Sequence, residues 1–220
     1  MRKILSLVLA LAMLLSCTAG VAEGKVFNTV LGGNPTTLDP IMFRDANANS
    51  IIAATHESLV RFDETGFSWE PGLAKGVVSN EDATVWTFTL RDDAFWSDGT
   101  PVTVEDVIYS FQRAIDPAMA SPNVNDFFII DGAREVYESR TEAADATPIE
   151  DLPFDMIGVK DIGDNKIQFT MDKPTEYFLD YVRLPVFAPV QKKAAQAPAE
   201  DTSRGYLRGS DYNKGKGENN

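Results

Sequence analysis

In "VWTFTLR" (85–91), Trp86, Phe88 and Leu90 alternate with Val85, Thr87 and Thr89, the period-two pattern of a strand with one buried face. A few residues on, the period changes. Val107, Ile108, Phe111, Ala114 and Ile115 recur every three to four positions, with Glu105, Gln112 and Arg113 mostly on the other side, which predicts a helix packing one face on a core. Thr103 precedes this stripe and Asp106 follows it by three, so hydroxyl and carboxylate can cap the helix reciprocally. Asp98-Gly99 and Pro101 predict a tight turn over 97–101, and Asp116-Pro117 ends the pattern.

The same reading extends to both sides. "KVFNTVLGG" (25–33) alternates enough for a strand, "NPTTLDP" (34–40) reads as an extended loop, and 46–57 as a helix leading into a short strand at 59–62. Residues 125–139 turn helical toward their end, and 140–153 form an acidic loop. Residues 157–171 predict a hairpin turning at Gly163–Asn165, with a helix over 174–183. From 191 to 220 only Tyr206, Leu207 and Tyr212 are large and apolar, too little to offset the ordering of thirty residues, so disorder is expected there.

At the other end, Arg2 and Lys3 precede a 13-residue apolar run (4–16), shorter than the roughly 20 residues a spanning helix needs. Residues 1–22 therefore read as an export signal. Leu14-Leu15-Ser16-Cys17 resembles a bacterial lipoprotein cleavage box, which would make Cys17 a lipid-bearing N-terminus, whereas cleavage at Gly20-Val21-Ala22 would release a soluble product. Cys17 is the only cysteine, so an intramolecular disulfide is excluded.

Charge narrows the function. With 33 acidic and 20 basic residues the chain carries a formal −13, which argues against nucleic acid as a partner, although from Gln191 onward six basic residues face four acidic ones. The one histidine, His56, has no second imidazole to build a metal site or a triad, and reads as a surface or capping residue. Asp92-Asp93 point apart at a strand end and read as a charged turn rather than a glycosidase pair. Trp86 reads as core, while Trp96, beside a loop, could equally belong to the core or to an aromatic platform. No cofactor or metal is expected, and nothing reads as an enzyme.

Five blocks in fixed order carry a more specific signal: "TLDP" (37–40), "ESLVRFDETG" (57–66), "PGLAKG" (71–76), 85–122, and "DNKIQFTMDKPTEYFLDYV" (164–182). Together they resemble the family 5 extracytoplasmic solute-binding proteins, the oligopeptide- and dipeptide-binding components of ABC importers, from about Lys25 to Val190. The resemblance implies an α+β / α/β chain with a partial type II periplasmic-binding-protein fold. Residues 25–58 would begin lobe one, 59–190 would form the domain inserted into it, and 191–220 would be a tail. It implies a substrate-binding lipoprotein, exported and anchored on the cell surface or in the periplasm, with an oligopeptide or other small solute and a membrane permease as partners. Relatives run to more than twice this length, so a truncated or frameshifted copy is expected; the alternatives are a binding-inactive gene remnant and, from another class, an exported hydrolase. Only fringe ligand contacts carry over: Arg44, Asp45 and Ala46 after "TLDP", and Asn123 after Ala120-Ser121-Pro122, where some relatives carry an aromatic.

Overall fold

The computed structural model describes residues 28–63, 65–66, 68–141 and 152–196. The chain divides into two units between Gly32 and Gly33. In chain order the second unit contains α1 (Ala46–Thr55), β1 (Val60–Phe62), β2 (Trp69–Pro71), β3 (Ala74–Ser79), β4 (Val85–Leu90), α2 (Val104–Ala114), α3 (Ala133–Arg140), β5 (Val159–Gly163), β6 (Lys166–Thr170), α4 (Phe178–Val182) and α5 (Lys192–Ala195), with short 3₁₀ turns between them. Strands β1 and β2 form a small antiparallel ladder. The main sheet runs β3-β4-β6-β5, antiparallel throughout.

Strand β4 follows its pattern. Trp86, Phe88 and Leu90 are buried, and Val85, Thr87 and Thr89 are half-covered on the other face. Phe88 pairs with Ile167 and Trp86 with Phe169 of β6, so one sheet face is continuous hydrocarbon and aromatic surface. The β5–β6 turn uses left-handed backbone at Gly163, Asp164 and Asn165, residue types that tolerate it.

Helix α2 covers this face. Val107, Phe111, Ala114 and Ile115 are buried, and Thr103 and Asp106 form the reciprocal cap: the Asp106 amide donates to Thr103 Oγ1 at 3.2 Å and the Thr103 amide to Asp106 Oδ2 at 3.0 Å. The turn before it rests on Gly99 alone, at φ 82°; Asp98 instead accepts from the Thr100 amide at 2.9 Å. Replacing Thr103 with alanine is expected to cost about 1 kcal/mol in a urea melt. Gly99→Val should cost more: no heavy atom lies within 4 Å of its added Cβ, so the penalty is the positive φ itself. Two neutral substitutions would mean that neither cap nor turn contributes to stability.

Four expectations are corrected. Over 28–33 no strand forms and Val30 is 95% exposed, because alternation without a pairing strand leaves backbone donors and acceptors to water; residues 25–27 lie outside the described residues. Arg113 is not on a solvent face but 7% exposed, neutralised by Asp39. The helix expected over 174–183 shrinks to Phe178–Val182, since Thr175 is held by tertiary bonds, its amide donating to Ala83 O at 3.0 Å and its hydroxyl to Lys173 O at 2.7 Å. Order continues past 190: Val190, Ala194 and Ala195 are buried, and the Lys192 amide donates to Asp106 Oδ1 at 2.9 Å. The rest of the expected tail, most of the acidic loop and the signal with Cys17 lie outside the described residues.

Candidate functional site

The segment "TLDP" enters the unit as a buried loop. Thr37 and Asp39 are 7% and 5% exposed, and the Asp39 carboxylate takes both terminal nitrogens of Arg113, with Nη1 at 2.9 Å from Oδ1. Asp39 Oδ1 also accepts from the Ile41 amide, and Ile41 packs in the same hydrophobic core as the sheet and α2. Because this pair is dry and paired two-to-two, it fixes where the chain emerges after Pro40.

Beyond Pro40 lies the predicted fringe, and the structure brings its parts together. Arg44 Nη2 donates to Pro122 O at 2.9 Å, and Asn123 Nδ2 donates to the carbonyls of Ile41 and Phe43 at 3.1 and 3.0 Å. Ser121 Oγ donates to Ile41 O at 2.7 Å, so the 41–45 and 121–123 segments are stitched by four bonds. Asp45 caps α1, accepting from the Ala48 amide at 2.9 Å, and Ala46 is the first helical residue. A 2.5 Å bond from the Thr36 hydroxyl, with help from the Ala48 amide, draws the Asp45 carboxyl down to about 2. It is therefore a fixed negative charge at any physiological pH.

The fringe thus holds a fixed carboxylate and a guanidinium, but its side chains are largely engaged in building the loop. Asn123 does the job of a brace: one amide group satisfies two carbonyls of a neighbouring loop. Sequence reading located these residues but not their bonds, since nothing local announces a partner eighty positions away. It also missed Arg113 as the anchor of the "TLDP" loop.

A cleft of about 930 Å³ lies elsewhere on the unit, between the C-terminal end of α1, the 95–98 turn and the segment leading into α5, and none of the four fringe residues lines it. His56 does line it, as the C-cap of α1; burial pushes its imidazole below the usual value, against the pull of Asp39. Trp96 lines it too and donates its indole N–H to Asp106 at 3.1 Å, while Trp86 is core, bonded to Ala83 O. Among the described residues no cluster of His, Cys, Asp and Glu could hold a metal ion.

The comparisons converge. The family described as bacterial extracellular solute-binding proteins, family 5 Middle, matches residues 68–211. The chain is 37% identical over 182 residues to the periplasmic oligopeptide-binding protein OppA of Escherichia coli K12, covering 81% of this chain and 31% of that protein. It is 34% identical to the periplasmic murein peptide-binding protein MppA of the same organism, covering 86% and 33%. Among solved structures, the substrate-binding domain of an oligopeptide ABC transporter from Bacillus anthracis superposes with a TM-score of 0.70 at 28% identity, covering 80% of this chain and 32% of that one. The Escherichia coli murein tripeptide binding protein MppA superposes at 0.65 with 34% identity, covering 76% and 30%. This chain therefore spans about a third of the length of these relatives and carries part of their fold. The family match also reaches 211, past the limit near Val190 expected from the sequence blocks. With most of its length matched, a partial periplasmic-binding-protein fold and relatives that bind solutes rather than transform them, the chain belongs to the bacterial extracellular solute-binding proteins, family 5.

Proposed function

We propose that the chain serves peptide capture outside the membrane, as part of a receptor that hands oligopeptides to an ABC permease. The observation that carries this reading is the family match over 68–211 together with relatives named for oligopeptide and murein peptide binding. In this reading residues 25–58 begin lobe one, 59–190 form the inserted domain, and Arg44, Asp45, Ala46 and Asn123 meet one edge of the peptide.

The fringe sets how strongly this chain can bind by itself. Asn123 Nδ2 and Arg44 Nη2 already serve backbone carbonyls, and Asp45 already caps α1. An open edge of this kind leaves most of a peptide's backbone in water. We therefore expect tri- to pentapeptides to bind the purified product, lacking residues 1–22, no better than about millimolar. Nuclear magnetic resonance titration should shift the amides of Arg44, Asp45, Ala46 and Asn123 without saturating below that range. Saturation at low micromolar peptide would show that the chain alone is a receptor, and absence of shifts at these four amides would favour the binding-inactive reading.

The anchor is a separate proposal. The Leu14–Cys17 box supports lipid attachment at Cys17, which would hold the receptor at the membrane. Cys17→Ala should then abolish fatty-acid labelling in cells, and unchanged labelling would refute it.

A further inference from the structure

The 930 Å³ cleft is of small-ligand size and shares no lining residue with the fringe. Part of it is apolar: Phe95 is 59% exposed although Ala94 beside it is buried, and Trp96, Val190 and Ala194 extend the surface. An exposed aromatic ring lining a cleft is contact area that a ligand can bury. The rest is polar, and its bonds fix what kind of group it accepts. Thr55 Oγ1 donates its single proton to Ile51 O at 2.8 Å, so toward His56 Nδ1, 3.0 Å away, it can only accept. His56 therefore carries its proton on Nδ1. Its Nε2 is left as a bare lone pair, not enclosed and with no partner among the described residues. Burial pushes the imidazole below its usual value and so keeps it a neutral acceptor at neutral pH.

Charge selects the sign of the ligand. Among the described lining residues Glu57 and Asp98 are carboxylates and Arg91 is the one cation. Arg91 is already engaged, with Nη2 2.8 Å from Glu57 Oε2 and Nε 3.8 Å from Asp93 Oδ1. Asp98 is set in place by the Thr100 amide at 2.9 Å and by Gln191 Nε2 at 3.0 Å. An anion would meet these carboxylates and the His56 lone pair, whereas an ammonium finds acceptors in them. The formal −13 of the whole chain acts in the same direction.

We propose that this cleft is a binding site, separate from the fringe, for a small primary amine with an aromatic body. The ammonium donates to His56 Nε2 within the field of Glu57 and Asp98, and the ring packs on Phe95 and Trp96. The site does not depend on the peptide reading, because it uses none of the fringe residues.

The test titrates the purified chain with phenethylamine at neutral pH, read by magnetic resonance. His56 is the only histidine, so its ring signals are unambiguous. Nitrogen–proton correlation across the ring should show the Nδ1–H form, and the amine should shift Nε2 saturably, half-saturating at about a millimolar or below. Phenylacetate and phenethyl alcohol, which keep the ring but not the ammonium, should bind about tenfold more weakly or worse. Phe95→Ser should weaken the amine about tenfold. Phe95 is exposed, so this substitution leaves the core intact, which an unchanged near-ultraviolet spectrum checks. The proposal is overturned by the Nε2–H form, by equal binding of the acid or the alcohol, by indifference to Phe95→Ser, or by a His56 signal unmoved at about 10 mM amine. Shifts at the Arg44 and Asn123 amides without one at His56 would place the amine on the fringe and overturn it equally.

Discussion

Replacing Asp39 with alanine is expected to destabilise the fold by about 3–5 kcal/mol, because it strands the Arg113 guanidinium in a dry environment. The side chains of the pair are 4% and 5% exposed, and the carboxylate engages Arg113 through both oxygens. Water cannot replace the lost partner without opening the junction between the "TLDP" loop and α2. The double substitution Asp39→Leu with Arg113→Met removes both charges at similar volume and should recover most of the loss, since burying two charges carries a cost that their attraction only offsets. Urea denaturation of the two variants decides it. A loss under about 1 kcal/mol for Asp39→Ala would mean that the pair behaves as an exposed bridge.

The same pair shows where sequence reading reaches its limit. Helix α2 was legible because its determinants are local: the Thr103–Asp106 box, the apolar stripe and the Asp116-Pro117 stop lie close together along the chain. Periodicity put Arg113 outside the apolar stripe, and by side-chain type it belongs in water. Its burial depends on an aspartate 74 positions away, and only the fold makes that pairing. The β5–β6 hairpin was legible for the local reason again, as Gly163, Asp164 and Asn165 tolerate positive φ.

Elsewhere, long-range bonds overrode local signals. Residues 174–177 have a helical pattern, but Thr175 is fully buried and tied to Ala83, which holds that turn out of the helix. Lys192 and Lys193 gave the start of the expected tail a solvated look. Its order comes from Ala194 and Ala195 packing inward while the Lys192 amide finds Asp106, a carboxylate already serving Thr103 and Trp96. The fringe was placed by family resemblance and not by chemistry, since Asn123 in sequence says nothing of the two carbonyls it braces.

Phe111 stands at the centre of the core, and truncating it to alanine should cost about 3–5 kcal/mol. It is 1% exposed and meets three rings, Phe169 of β6 at 5.0 Å, Phe127 at 5.6 Å and Phe187 at 5.9 Å between centroids. These rings come from the sheet, from the 3₁₀ turn after the Asn123 brace and from the turn before Val190, so one side chain joins the main sheet to both flanking segments. The cavity would not collapse easily, because the three neighbours are themselves fixed: Phe169 packs on Phe178, and Phe127 on Phe187. A double-mutant cycle with Phe169→Ala separates the ring contact from simple burial, with an expected coupling of about 0.5–1.5 kcal/mol for the edge-on pair. Additivity of the two losses would show that the rings act only as bulk. Loosening should also be felt at the fringe, where the Asn123 amide shifts in magnetic resonance spectra, since Asn123 leads directly into the short turn that carries Phe127 and its carbonyl accepts from the Asp126 amide at 3.0 Å.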